Sequence, residues 1–284
     1  MLFIFHKKDS RFSSVYYERG LYMVINDFFL LIVDVLNQCP AEFIAFAMII
    51  YCALSIFFLH LAFGKTGLFV YFGMSLIVSN VLFLKLVKFS FYTSPIPLGK
   101  IVIGSTMFCT SLLTEFYGKE TAKKAIYIGI TAELIVHFLM LLAVGAQPYV
   151  DADSSIYDAG HAQIKALFLP TFSIFISGII AYLISQYVEI KTFLVVKEMS
   201  NSRFLWLRAG LSMCVASLVD NIIFGTLACI VFAPNPVSWN TAFFTYILGS
   251  YLARCMICII FVPWMYLVFN FRINNFFSKR YQDG

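Results

Sequence analysis

Seven stretches of the chain, near residues 41–63, 67–87, 98–117, 123–146, 164–189, 209–233 and 240–269, stay apolar over roughly the 20 residues that a helix needs to cross a bilayer. In hydrocarbon every backbone N–H and C=O must be paired inside the segment, so runs of this kind fold as helices. Composition closes off the soluble alternatives. The chain is 61% hydrophobic and 12% charged, where a soluble domain is roughly half apolar and about a quarter charged. The expected fold is therefore all-α, a polytopic transmembrane helical bundle. Residues 41–284 form a single transmembrane domain, and residues 1–40 are an N-terminal extension, interfacial or partly disordered. Seven spans and their loops leave no length for a separate soluble domain.

The spans are separated by Gly64-Lys65-Thr66-Gly67, by Ser94-Pro95-Ile96-Pro97, by an acidic stretch from Gln147 to Asp158, and by Pro234-Asn235-Pro236. Basic residues give the orientation, because cytoplasmic loops retain Lys and Arg. One set of alternate loops holds Lys65, then Lys119, Lys123 and Lys124, then Lys191, Lys197, Arg203 and Arg208, and finally Arg272, Lys279 and Arg280 in the tail. The other set holds Lys88 and Lys100, then Lys165 offset by Asp151, Asp153 and Asp158. The C-terminus is thus expected in the cytoplasm. Lys7, Lys8, Arg11 and Arg19 would then face outward, which is accommodated either by an interfacial helix over 21–38 carrying Asp27 and Asp34, or by translation starting at Met23.

Several function classes fall away. The net charge of +5 comes from short loops and not from a basic block, so no directly bound nucleic acid is expected. Most of the seven cysteines lie in apolar runs, as small hydrophobes do. Cys255-x-x-Cys258 has no second pair and is read as packing. Gly64-Lys65-Thr66 echoes the end of a phosphate-binding loop, but Leu59 stands where that loop needs glycine. No serine-hydrolase or zinc-protease motif is present. Neither an enzyme, nor a cofactor, nor a metal site is expected.

What remains is a set of polar residues inside the spans, where a charge at the centre costs about 2.5–3.5 kcal/mol and demands a partner or a polar cavity. Asp220, followed by Asn221, lies mid-way along span six and Arg254 mid-way along span seven. At similar depth they either form a structural salt bridge or share a zwitterionic or hydrogen-bonding solute. Glu133 and His137 are spaced i, i+4 on one helix face, as a proton relay, half a metal site or an internal hydrogen bond would be. Asn80 and Gln186 are amides that suit either a heterocyclic edge or helix–helix bonding.

From Phe63 onward the chain resembles the bacterial queuosine precursor transporter family, also called the vitamin uptake transporter family. Phe63-Gly64-Lys65-Thr66-Gly67-Leu68-Phe69-Val70 is similar to that family's opening of a span, with Ser79-Asn80 after it. Thr114-Glu115-Phe116-Tyr117-Gly118-Lys119-Glu120-Thr121-Ala122-Lys123-Lys124-Ala125 resembles its most specific segment. Ala181-Tyr182-Leu183-Ile184-Ser185-Gln186 with Glu189, Trp206-Leu207-Arg208 with Ser212, Asp220 and Phe224, and Tyr251-Leu252-Ala253-Arg254 continue the match. The chain departs from the family at Ser111 and Ser173, where relatives carry an acid and a base, and at Ala209-Gly210.

The resemblance implies a six-helix core plus an extra N-terminal span, in a bacterial inner membrane. It also implies import of a 7-deazaguanine, namely queuine or its cyano or aminomethyl precursors, for tRNA modification. Asn80, Glu115, Gln186, Asp220, Arg254, Tyr182, Ser111 and Ser173 are then the candidate substrate-binding residues, with Glu133 and His137 for proton coupling. The expected partners are a nucleobase-like small molecule, the lipid bilayer and a second copy of the chain as a homodimer. Two other readings stay open: a substrate-binding subunit that docks on a separate ATPase module, for which Ala41-x-x-x-Ala45 offers a small-residue face, and an intramembrane enzyme.

Overall fold

A computed structural model of the chain describes residues 27–90, 95–147, 155–168, 172–233 and 235–273. The basic N-terminal stretch, Asp151 and Asp153 of the acidic loop, and the tail with Lys279 and Arg280 lie outside the described residues. The chain forms two compact units, Met1–Ile44 and Ala45–Gly284. In the first, helix α1 covers residues 27–38 within the stretch read as an interfacial helix, and all of its side chains are exposed.

Helix α2, Ala41–Phe83, is two helices joined at Gly64, whose φ of 58° and ψ of −133° suit glycine alone. Gly67 lets the second helix begin against the first, since a Cβ there would sit 2.1 Å from the Leu59 carbonyl oxygen. The turn read in the sequence is thus a kink between two spans. The second of them ends at Phe83 and not at 87, and a two-residue antiparallel hairpin follows, β1 (Leu86–Val87) on β2 (Ile96–Pro97). Ile96 through Lys100 are buried, in keeping with the rule that non-helical backbone in a membrane protein is sheltered by protein. Lys100 was read as a loop residue that helps set orientation; it lies inside the bundle instead, because the hairpin returns the chain inward. Gly99 permits this approach, for a Cβ there would lie 2.2 Å from the Ser79 carbonyl oxygen.

Helix α3, Gly99–Tyr117, is buried along nearly its whole length and packs on helices α4 (Lys119–Gly145), α6 (Phe172–Met199), α7 (Leu205–Thr226) and α9 (Ser250–Ile273). Five helical stretches are long and apolar enough to cross a membrane, Ala41–Phe83, Lys119–Gly145, Ile174–Met199, Leu205–Val231 and Trp239–Val268, and α3 is not among them. Its hydroxyls explain both facts. Ser105, Thr106, Thr110 and Thr114 donate to carbonyls three or four residues back, at 2.6–3.0 Å, which pairs them internally and lets a polar helix occupy the centre. The apolar side chains of its neighbours, such as Phe58, Leu142 and Ile259, face outward to where lipid would be. The chain is a multi-pass membrane protein with its polar residues turned in.

Three further features shape the interior. Gly118, with φ 84° and ψ 166°, is the single residue between α3 and α4 and reverses the chain there. The second half of the acidic stretch, read as a turn, is helix α5, Ser155–Phe168, and the span expected from 164 begins at Phe172. Asp158, His161, Gln163 and Lys165 make α5 too polar to be part of a span. The third is π-helical winding, Leu227–Val231 after α7 and Ala242–Gly249 between the short α8 (Trp239–Thr241) and α9, a winding often found beside functional sites.

Candidate solute site

Tyr182, Ser185, Gln186 and Glu189 recur at i, i+3, i+4 and i+7 on α6, which places them on one face. All four are buried, the last three completely. Across from them, α3 presents Thr110, whose hydroxyl contacts Gln186 Oε1, and Ser111, which donates to Glu189 Oε1 at 2.9 Å. Asp220 of α7 holds Arg254 of α9 at 2.6 Å between Oδ2 and Nη1, and Ser185 Oγ lies 3.4 Å from its other oxygen. Arg254 is fully buried. Beside this pair, Lys100 Nζ donates to Asn221 Oδ1 at 3.1 Å and sits 4.4 Å over the Phe224 ring. Lys100 is within electrostatic range of Arg254 and Asp220. Helices α3, α6, α7 and α9 thereby enclose a polar interior in which donors, acceptors and both signs of charge stand side by side.

Some of this capacity is unused by the protein itself. Glu189 Oε2, Gln186 Nε2 and Arg254 Nε and Nη2 are buried without a hydrogen-bond partner. Buried polar atoms are ordinarily paired, so this interior carries an unusual share of unused donors and acceptors.

The other candidate residues lie elsewhere. Glu115 ends α3 in an ion triad, accepting from Arg208 Nη2 at 2.7 Å and from Lys197 Nζ at 3.1 Å, while Arg208 also donates to the Ser202 carbonyl at 2.9 Å. This clamp ties the α6–α7 turn to the end of α3. Asn80 donates to Glu133, and the Glu133 carbonyl contacts His137 Nδ1 at 3.1 Å. The His137 ring stacks on Phe175 with centroids 3.7 Å apart. Asn80, Glu133 and His137 therefore form a second polar group, joining α2, α4 and α6. Ser111 pairs with Glu189. Ser173 lies about 24 Å away along the α6 axis by helix rise, and its side chain is outside the described residues.

Two central residues escaped the sequence reading. Lys100 was assigned to a loop, and Glu189 was matched to a motif without being placed in a site; its i+3 spacing from Gln186 was the available signal. Among the described residues no group of three His, Cys, Asp or Glu side chains could hold a metal ion, and the cysteines are free thiols.

Comparison with known proteins bears on this interior directly. The family model described as "Putative vitamin uptake transporter" matches residues 97–268, the segment that runs from β2 through most of α9 and contains the polar interior. The chain is also 30% identical over 205 residues to a "Probable queuosine precursor transporter" of Bacillus subtilis (strain 168), a match that covers 72% of this chain and 84% of that protein. No solved structure matches the chain. With its core helices and their enclosed polar residues inside the matched segment, the chain belongs to the vitamin uptake transporter family, whose B. subtilis relative carries the queuosine precursor name.

Proposed function

We propose that this protein imports a 7-deazaguanine precursor of queuosine across a bacterial inner membrane, without chemical change to the solute. The observation that carries the proposal is the closed polar interior between α3, α6, α7 and α9, which holds a buried acid–base pair and unpaired donors and acceptors. Such groups are expensive in a membrane and are kept where a polar solute passes. A flat bicyclic base with amide and amine edges uses that mixture of donors and acceptors, and the Tyr182 ring stands on the same face for stacking. The name of the B. subtilis relative supports the same solute class. Asp220, Arg254, Gln186, Tyr182 and Ser111 are the members of the original candidate set that belong to this interior, and Glu133 with His137 is the separate group available for proton coupling. The pattern of basic loops supports a cytoplasmic C-terminus. The test is uptake of radiolabelled queuine by cells that neither make nor import queuosine precursors, with and without this gene. Uptake with this gene alone favours a self-sufficient transporter over a subunit needing an ATPase partner, and no uptake beyond the empty host sinks the assignment.

A further inference from the structure

We infer that Glu189, with Gln186 one turn before it, reads the lactam–amidine edge of the transported base. The free carboxylate oxygen accepts from the ring N–H and the neighbouring exocyclic amine, while the Gln186 amide donates to the adjacent ring carbonyl. This rests on the 7-deazaguanine reading above and names the atoms that would select that class.

The inference follows from which carboxylates are already committed. Both oxygens of Glu115 are engaged by Arg208 and Lys197. Asp220 is neutralised by Arg254, and Glu133 accepts from Asn80. Glu189 differs. It is completely buried, one oxygen accepts from Ser111 at 2.9 Å, and the other is the only buried carboxylate oxygen without a partner among the described residues. It takes part in none of the ion pairs found there. A buried carboxyl oxygen without a hydrogen-bond partner is costly to the fold, and its place one turn from the unpartnered Gln186 amide suits a ligand that offers donors to the one and an acceptor to the other.

Gln186 completes the pattern. Thr110 engages one atom of its amide and leaves the other buried and unpartnered. The free atom is the amide nitrogen, which presents a donor to a carbonyl. Residues at i and i+3 on a helix have Cβ atoms roughly 5–6 Å apart, so the two side chains can meet one edge of one ring together. Ser111 has a defined part here: its hydroxyl fixes one Glu189 oxygen and leaves the other for the ligand.

The experiment measures Kd and unliganded thermal midpoint for the full-length protein in lipid nanodiscs, using queuine, guanine, which shares the edge, and 7-deazaadenine, which lacks it. Wild type should bind queuine and not 7-deazaadenine. Glu189→Gln should weaken queuine by about 10- to 100-fold, with an unliganded midpoint close to wild type because the amide keeps the shape of the side chain. Gln186→Met should weaken queuine by about 5- to 50-fold and serves if Glu189→Gln is poorly made. Queuine affinity within about twofold of wild type in both variants, or an unliganded midpoint that falls along with affinity, overturns the inference. Binding of guanine that depends on Glu189, without binding of queuine, would support the edge reading while removing the queuosine precursor assignment. Failure of wild type to bind either lactam base overturns the inference.

Discussion

The Asp220–Arg254 pair offers the most quantitative test of how this interior is built. Arg254 is completely buried, its Nε and Nη2 have no partner, and among the described residues Asp220 is the one anion it pairs with, at 2.6 Å. At an effective dielectric constant of about 20, that distance corresponds to about 6 kcal/mol of attraction. Asp220→Asn removes the charge and keeps the shape, and the expected cost is about 3–5 kcal/mol, typical of stranding one member of a buried pair. Arg254→Gln should cost a similar amount. The double variant, with no charge left to strand, should return to within about 1–2 kcal/mol of wild type. Denaturant titration in mixed micelles measures these differences, and queuine uptake per folded molecule measures function on the same preparations. Uptake should stay low in the double variant, because restoring the fold does not restore the groups that meet the solute. A double variant no more stable than the worse single one would refute the electrostatic account. Full uptake by Asp220→Asn, or recovery of uptake in the double variant, would remove Asp220 from the solute path.

Three further outcomes are expected. Glu115→Gln should lower stability by about 1–3 kcal/mol, since it weakens hydrogen bonds to two cations, while uptake per folded molecule falls less than in Asp220→Asn; parallel titration and uptake assays distinguish the two. Gly118→Ala should cost about 1–3 kcal/mol from backbone strain alone, because φ is 84° and no atom lies within 4 Å of an added Cβ. The same titration reads this, and a neutral result would mean that the α3–α4 reversal tolerates another geometry. In a background free of reactive cysteine, Asp153→Cys should be labelled by an impermeant maleimide on intact cells and Ser202→Cys should be spared, and the reverse pattern would invert the topology.

The long helices α2, α4, α6, α7 and α9 were legible as apolar runs, because a bilayer forces each span to pair its own backbone and to stay apolar over a fixed length. Gly64 was legible as punctuation for a local reason too: its φ of 58° with ψ of −133° is a conformation that suits glycine. Local pattern failed at the hairpin and at α5, where polarity and prolines look alike in a loop, a buried turn or a short helix. Lys100 shows the consequence, since nothing within a few residues of it says that the chain turns inward and places its ammonium on Asn221. The membership of the site divides the same way. Tyr182, Ser185, Gln186 and Glu189 share a face by spacing alone, so their grouping was written in the sequence. That Ser111 meets Glu189, that Asn80 is taken by Glu133, and that Glu115 is held by Arg208 and Lys197 are contacts between residues 53 to 93 positions apart. Periodicity along one helix determines which side chains point together, but which helix they point at is decided by packing. Only the tertiary structure therefore singles out Glu189, among the described residues, as the buried carboxyl group with an oxygen left open.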